Sequence, residues 1–394
     1  AQNSSARYFG RPDADHLELD PTATSLSGYT AQLQIRRQAG RHWRGDAAVS
    51  VASPGYEVND LGFQARADQI GANGQILYLE NRPGSFFRSY RMNAVGIHNV
   101  NLAGEHIGSV VTLGWNWQHL SYFGGFIALQ HGFESLDDRL TRGGPMALRP
   151  ADNRVLVTLS SDARKPVTAG TQMFYMRDDG GQETRFVNAT LGLKTSPRWN
   201  LTLGPQYSRT LLPAQYLTSV ADPLAPSIFG RRYVFAEMDQ TTVSLETRLN
   251  FTFNPRLSLE MYAQPFVTSA EFTDYKELTV PRSFDFAVYG RERGTIERSE
   301  TGAFRIDPDA DGPAPAFTVG QRFGQSDFNL RSLRGNAVLR WEWRPGSTLF
   351  LAWQQIRSDL EGVGNFNLGR DRAALFAAKP DNVFLIKVNY WLNP

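Results

Sequence analysis

The sequence predicts an all-β protein, an antiparallel transmembrane β-barrel with about 15–16 strands in this chain. Apolar and polar residues alternate with period two along most of the chain, and aromatic residues, 12% of the total, gather near strand ends. The links between strands alternate between short and long. No run of apolar residues approaches the ~18 that a membrane helix needs, but a barrel strand needs apolar residues only at alternate positions.

Composition removes several classes of protein. The 394 residues carry a net charge of +2, so no basic excess points to nucleic acid as a partner. The chain has no Cys, which excludes disulfides, thiolate catalysis, Cys-ligated zinc and iron–sulfur clusters. The mean hydropathy of -0.37 is ordinary for a soluble protein, and a large soluble β-sandwich or propeller is the alternative to a barrel.

Fifteen segments alternate as strands do. Residues 243, 245, 249, 251 and 253, for example, are apolar, whereas 244, 246, 248, 250 and 252 are polar. The segments run mostly ~10–12 residues, longer than the usual ~5–6 and suited to a tilted membrane span. The predicted strands are 29–38, 43–52, 74–82, 86–97, 107–117, 122–133, 153–161, 166–176, 184–194, 199–210, 232–253, 256–270, 335–344, 348–357 and 382–392.

Links after odd-numbered strands are short and rich in Pro, Gly and Asn, as at Asn254-Pro255. Links after even-numbered strands are long, at 53–73, 134–152, 211–231, 271–334 and 358–381. Bacterial outer-membrane barrels have short periplasmic turns and long extracellular loops. We therefore expect a bacterial outer membrane location, a periplasmic C-terminus, an extracellular-loop-like segment 1–28, a barrel domain 29–394 and a long extracellular loop 271–334.

The predicted strand count is odd, whereas single-chain bacterial barrels have an even count. Either an odd number of strands has been missed, or the chain is part of a larger barrel. In the second case the upstream strands belong to a second polypeptide or were cut away.

Several blocks of sequence resemble the barrel region of the DUF5916 outer-membrane proteins. These blocks are Gly10–Asp15, Asp20–Gly28, Ser53–Phe63, Thr141–Pro145, Tyr233–Phe235, Asp239–Ser244, Leu257–Phe266, Asp327–Arg334, Trp341–Ser347 and Lys387–Pro394. The resemblance implies an outer-membrane barrel. Family members usually carry an N-terminal family-9-like carbohydrate-binding module, which this sequence does not include. The family supplies no catalytic residues to transfer.

One motif suggests a metal. Asp307, Asp309 and Asp311, followed by Gly312, have the spacing of loops that wrap Ca²⁺ with oxygen ligands. The EF-hand Glu at loop position 12 is replaced by Thr318. A calcium site and a solvated acidic turn are therefore both open, and no other cofactor is predicted.

Charged residues within strands are candidates for the lumen wall, where they would tune the selectivity of a pore. Cross-strand ion pairs along a solvated wall are the alternative. The candidates are Arg91, Arg185, Glu246, Arg248, Glu260, Arg340, Glu342 and Lys387.

The expected function is non-enzymatic: a porin-like or scaffold barrel in outer-membrane lipid, linked to carbohydrate ligands if its family's module accompanies it. One alternative is a barrel plugged by 271–334 that anchors a cell-surface complex. The other is an outer-membrane hydrolase, with Ser/His or Asp/His pairs assembled between strands. The six His show no metal spacing, and no G-x-S-x-G or P-loop occurs.

Overall fold

The structure, a computed structural model, describes residues 2–4, 6–60, 62, 64–300, 302–322 and 324–392. These residues form β-strands, one α-helix (α1, Leu368–Ala377) and a 3-10 turn at Pro226–Ile228. Within these ranges no helix has the length and apolar character to cross a membrane.

Fifteen strands form the main sheet, which we call the wall. They are β1 (Thr30–Arg37), β2 (Trp43–Ala52), β3 (Gln69–Glu80), β4 (Phe87–Val100), β5 (His106–His119), β6 (Gly124–Phe133), β9 (Asp152–Ser160), β10 (Val167–Asp178), β11 (Glu183–Ser196), β12 (Trp199–Ala221), β13 (Arg231–Asn254), β14 (Leu257–Leu278), β19 (Phe328–Arg344), β20 (Ser347–Glu361) and β21 (Asp381–Asn389).

The remaining strands are short and lie in the long connections. β7 (Ser135–Asp137) pairs with β8 (Ala147–Arg149), and β15 (Phe286–Val288) adds to the end of β14. β16 (Thr295–Arg298), β17 (Phe304–Asp307) and β18 (Phe317–Val319) form a separate three-stranded sheet.

The strands of the wall follow one another in chain order, and each pairs antiparallel with its neighbours. The all-β antiparallel class is thus confirmed. Each of the fifteen predicted segments overlaps one strand of the wall, although the ends of the strands differ from the predicted ends.

The strands are staggered in one direction. A row of directly opposed residues starts at Arg37, the last residue of β1, and passes through Leu113 and Tyr175 to Arg209. It ends at Glu361, the last residue of β20. Arg37 lies beside a short turn, whereas Glu361 lies at the other end of the strands, beside a long connection. A stagger that accumulates across a sheet is the geometry of tilted strands.

Several strands are longer than predicted, and the largest extensions shorten two of the predicted long loops. β12 continues to Ala221 and β13 begins at Arg231, so most of the predicted loop 211–231 is strand. β14 continues to Leu278 and β19 begins at Phe328, which shortens the predicted loop 271–334 to 279–327. Charges such as those of Lys276 and Glu277 suggest a loop, but both residues are buried under the connections that fold over them.

The wall has two edges. Among the described residues β1 pairs only with β2, and β21 pairs only with β20. Every residue of both strands is exposed. Because strand directions alternate over fifteen strands, β1 and β21 run in the same direction.

Candidate functional site

One face of the wall carries an apolar band that we call the band. Leu113, Leu129 and Val155 lie directly opposite one another on β5, β6 and β9, and each is exposed. The same face contributes an exposed apolar or aromatic side chain from each of the fifteen strands. These are Leu33, Val49, Ile76, Met92, Leu113, Leu129, Val155, Met173, Val187, Tyr207, Leu245, Met261, Trp341, Leu351 and Ile386. Soluble proteins rarely expose a contiguous apolar surface of this extent.

Aromatic rings crowd the band near the short turns. Tyr78 packs edge-on against Trp43 at 5.1 Å and stacks with Tyr90 at 5.9 Å, and Trp115 lies 4.4 Å from Trp117. Several of these rings line a shallow apolar depression of about 730 Å³ on this face. Clustered rings at one level of a sheet match an interfacial girdle.

The opposite, polar face carries seven of the eight predicted lumen residues: Arg91, Glu246, Arg248, Glu260, Arg340, Glu342 and Lys387. Charged neighbours on one strand pair with each other, as in Arg248 Nε–Glu246 Oε1 at 2.6 Å and Arg340–Glu342 at 3.9 Å. Lys387 Nζ lies 6.0 Å from the centre of the Phe350 ring. Two of these contacts are ion pairs between residues two apart on one strand, and the third is a contact between a cation and a ring. None of them is one of the cross-strand ion pairs considered above.

Arg185 does not share a face with the other seven candidates. It lies opposite Tyr175 and Arg209 and two residues from Val187, on the same face as the band. Side chains two residues apart in a strand point to the same face, so Arg185 lies on the face of Val187.

The long connections form what we call the cap, residues 2–28, 53–68, 101–105, 134–151 and 279–327. Its main apolar cluster includes Ile306 and Val319 of the cap together with Met238, Ala270 and Phe328 of the wall. These three wall residues lie on the polar face, because they share the alternation of Glu246, Glu260 and Arg340. The cap therefore covers the polar face where the long connections emerge.

Backbone and carboxylate bonds tie the cap segments to one another. Ala67 N donates to Ala6 O at 3.0 Å, and Met146 N donates to Asp13 Oδ2 at 2.7 Å. Leu148 N donates to Ser283 O at 2.9 Å. Each bond joins a different pair of cap segments.

One ion pair joins two residues that are 177 positions apart in the sequence. Arg282 bonds Glu105, which connects segment 279–327 to the β4–β5 link. Burial raises the pKa of Glu105, but hydrogen bonds from Asn101 and Arg282 outweigh it and hold that pKa below its usual value. Glu105 is therefore a carboxylate at neutral pH.

A buried charge group lies where the cap meets β13 and β14. Arg232 bonds Asp222 at 2.5 Å and Glu277 at 2.7 Å, and the Arg232 side chain is 7% exposed. Tyr289 donates from its hydroxyl to Glu277 Oε2 at 2.5 Å. Burial and the neighbouring Glu277 raise the pKa of Tyr289, so the hydroxyl stays protonated and continues to donate.

A cavity of about 220 Å³ lies between the cap and the wall. Asp137, Arg149, Arg154, Asp178 and Phe284 contribute to its lining. The lining offers charged hydrogen-bonding groups beside an aromatic ring.

The predicted calcium ligands do not form a cluster. Asp309 instead bonds within its own turn, where its Oδ2 accepts from Ala314 N at 2.9 Å. Asp307 is the last residue of β17. In the described part of the chain, no group of three or more His, Asp or Glu side chains is arranged to hold a metal ion.

Ser109 lies between two histidines at the rim of the band. Its Oγ is 2.7 Å from His98 Nδ1 and 2.7 Å from His106 Nε2, and the two imidazoles stack at 5.1 Å. The register shifts between Asn99 and Val100, which turns His106 to the face of His98 and Ser109. The sequence prediction missed this group because a bulge reverses the alternation.

Comparisons with known proteins identify one family. The family model described as "Domain of unknown function (DUF5916)" matches residues 2–393. Among curated protein sequences, none matches this chain.

Proposed function

The chain belongs to the DUF5916 family, and we propose that it forms the wall of a transmembrane β-barrel in a bacterial outer membrane, with a non-enzymatic porin-like or scaffold role. The observation that carries this proposal is the band, which crosses all fifteen strands on one face and is exposed. The band faces lipid and the polar face lines the lumen. The C-terminus lies on the periplasmic side with the short turns.

Two further features support this placement. The accumulated stagger of the strands is the one that a barrel with tilted strands needs. The rings of Trp43, Tyr78 and Tyr90 lie at the short-turn end of the band, at the level of a membrane interface.

Expression in a Gram-negative host tests the proposal. We expect the protein in the outer-membrane fraction, extracted only by detergent, with gel migration that changes on heating. Recovery of folded monomer from buffer without detergent would contradict it.

The two edge strands of the wall need further hydrogen-bonding partners if they lie in lipid. Unpaired N–H and C=O groups cost several kcal/mol each in hydrocarbon, so β1 and β21 cannot stay open to lipid. They run in the same direction, so an all-antiparallel closure takes an odd number of added strands. We propose that another polypeptide segment or chain supplies them.

Engineered disulfides distinguish this closure from direct pairing of β1 with β21, because the chain contains no Cys of its own. Gln34→Cys is combined in turn with Val383→Cys, Leu385→Cys and Lys387→Cys. An intervening strand keeps the edges about 9–10 Å apart, beyond disulfide reach, so we expect no intramolecular bond. Efficient oxidation of any pair would show direct closure.

The cap favours a second candidate, a plugged barrel that anchors a surface complex. Its segments bond to one another and cover one end of the polar face, which is the arrangement of a closed mouth. Planar-bilayer recordings separate the candidates: steady conductance supports a porin, and a silent barrel supports the scaffold. If a small hydroxyl-rich ligand such as a sugar is handled, we place it in the 220 Å³ cavity.

Ser109 favours a third candidate, a hydrolase of lipid esters. A serine within hydrogen-bond reach of an imidazole is the arrangement of an activated nucleophile. Turnover of a long-chain phospholipid in mixed micelles that is lost in Ser109→Ala would establish it. Equal rates in both proteins would remove it.

A further inference from the structure

Three arginines gather on the lipid side of the wall. Arg177, Arg185 and Arg209 belong to β10, β11 and β12, and they follow the last apolar side chains of the band toward the cap. Tyr175 lies directly opposite Arg185, and Val187 lies directly opposite Tyr207. We call these three arginines the arginine rim.

The arginine rim contains a like-charge contact. Arg185 and Arg209 are direct cross-strand partners, and such partners have Cβ atoms only ~5 Å apart. Their side chains are 57% and 51% exposed. Like charges directly opposite each other destabilise a sheet unless a counter-charge compensates them.

Carboxylates pair with two of the three arginines. Arg185 bonds Glu183 at 2.5 Å, and Arg209 bonds Asp239 at 2.5 Å. Tyr175 also donates to Glu183, at 3.3 Å. Arg177 lies opposite Glu183 in register, but it makes no side-chain hydrogen bond or ion pair with any described residue. Glu271 lies opposite Asp239 on the same face, so the distinguishing feature of the rim is the exposed Arg177 guanidinium without a paired carboxylate in the described part of the chain, beside the Arg185–Arg209 contact.

We propose that the arginine rim binds the phosphate groups of lipid headgroups in the leaflet on the cap side. The proposal rests on the placement of the band in the membrane. A guanidinium matches a phosphate with two parallel hydrogen bonds, and three guanidiniums on adjacent strands present such donors side by side. Tyr175 and Tyr207 add amphipathic rings at the headgroup level.

A lipid is the source of phosphate that the surface favours. The rim continues directly from the band, so a headgroup bound there has its acyl chains against Val187 and Met173. A free phosphate ion uses only the arginines. Lipid binding therefore gains from both surfaces.

The test compares the wild-type protein with the double variant Arg185→Gln/Arg209→Gln. The control double variant is Arg44→Gln/Arg334→Gln, in which both arginines lie on the polar face. Native mass spectrometry in detergent measures retention of added phosphatidylglycerol, phosphatidylcholine and inorganic phosphate. Heat-modifiable migration reports that each variant has folded.

We expect the rim variant to bind phosphatidylglycerol about tenfold more weakly, which corresponds to about 1.4 kcal/mol. The control should bind like wild type. Equal binding by a folded rim variant would overturn the site and leave the barrel intact. Phosphatidylcholine carries the same phosphate group, so its binding should also weaken in the rim variant. Displacement of the lipid by inorganic phosphate would overturn the site. A chain that never inserts into membranes would contradict the proposed function, and this site with it.

Discussion

The wall and the cap are stabilised in different ways. In the wall, neighbouring strands repeat one pattern, so side chains such as Leu113 and Leu129 meet partners set by register alone. In the cap, segments far apart in sequence meet through single contacts, such as the one between Glu105 and Arg282. The wall leaves its apolar side chains exposed, whereas the cap buries Ile306 and Val319.

The proposed membrane placement accounts for this difference by two solvents. The wall would then place its apolar groups toward lipid, and the cap buries its apolar groups, as a protein does in water. Charged substitutions should therefore have opposite consequences in the two regions. The following predictions, ordered by size of effect, test that contrast.

The largest effect is expected where the cap meets the wall. Arg232→Met leaves Asp222, which is 1% exposed, without its counter-charge, and leaves Glu277, which is 0% exposed, with Arg293 alone as its counter-charge. Removing one partner of a buried pair costs about 3–5 kcal/mol. Denaturant titration in detergent should show this loss, with Arg231→Met as the exposed control within about 0.5 kcal/mol. Similar curves for both variants would mean that the charge group contributes little.

The next effect is expected in the wall. Leu129→Arg places a charge in the band and should cost about 2–4 kcal/mol if the residue lies near the middle of the bilayer. Gln130→Arg, on the polar face of the same strand, should cost less than about 1 kcal/mol. Unfolding from lipid vesicles measures both free energies. If both variants match wild type, the band lies in water.

Acid should loosen the cap before the wall. Burial raises the pKa of Asp137, but Arg149 outweighs it and holds that pKa below its usual 3.8; the pKa of Glu105 is likewise below its usual 4.5. Because the folded pKa values are the lower ones, these groups stabilise the fold above the usual values. That stability is lost as the pH falls through the folded pKa values.

Hydrogen exchange, compared with the intrinsic amide rate at each pH, should therefore show a protected cap from about pH 7 to pH 5 and lower protection in 279–327 below about pH 4. Glu105→Gln should remove part of this pH dependence. Wall amides serve as the internal control. Simultaneous loss of protection in wall and cap would show that the two regions are not separate in stability.

The smallest effect is expected from metal removal. Asp307, Asp309 and Asp311 do not form a ligand group, so chelation with EDTA should leave the thermal midpoint unchanged. Asp309→Asn should behave like wild type with and without Ca²⁺. A midpoint that rises with Ca²⁺ and returns with EDTA would restore the calcium site.

The sequence predicted the wall better than the cap for a physical reason. Alternation is local, so residues 243–253 reveal their strand without knowledge of any partner. The cap depends on long-range contacts, and the buried strand ends around Lys276 and Glu277 look like loop because their partners are remote. Arg185 could have been placed correctly from its spacing to Val187. Ser109 and His106 could not be placed on one face from the sequence, because the alternation of residue types does not reveal the bulge between them.

Cysteine labelling tests the central claim, that the band faces lipid and the other face faces water. Single cysteines replace Leu113 and Leu129 in the band, and Thr112 and Gln130 on the polar face. In intact membranes a water-soluble maleimide should label the polar-face cysteines and leave the band cysteines unmodified until denaturant is added. Rapid labelling of both band cysteines in intact membranes would contradict the account.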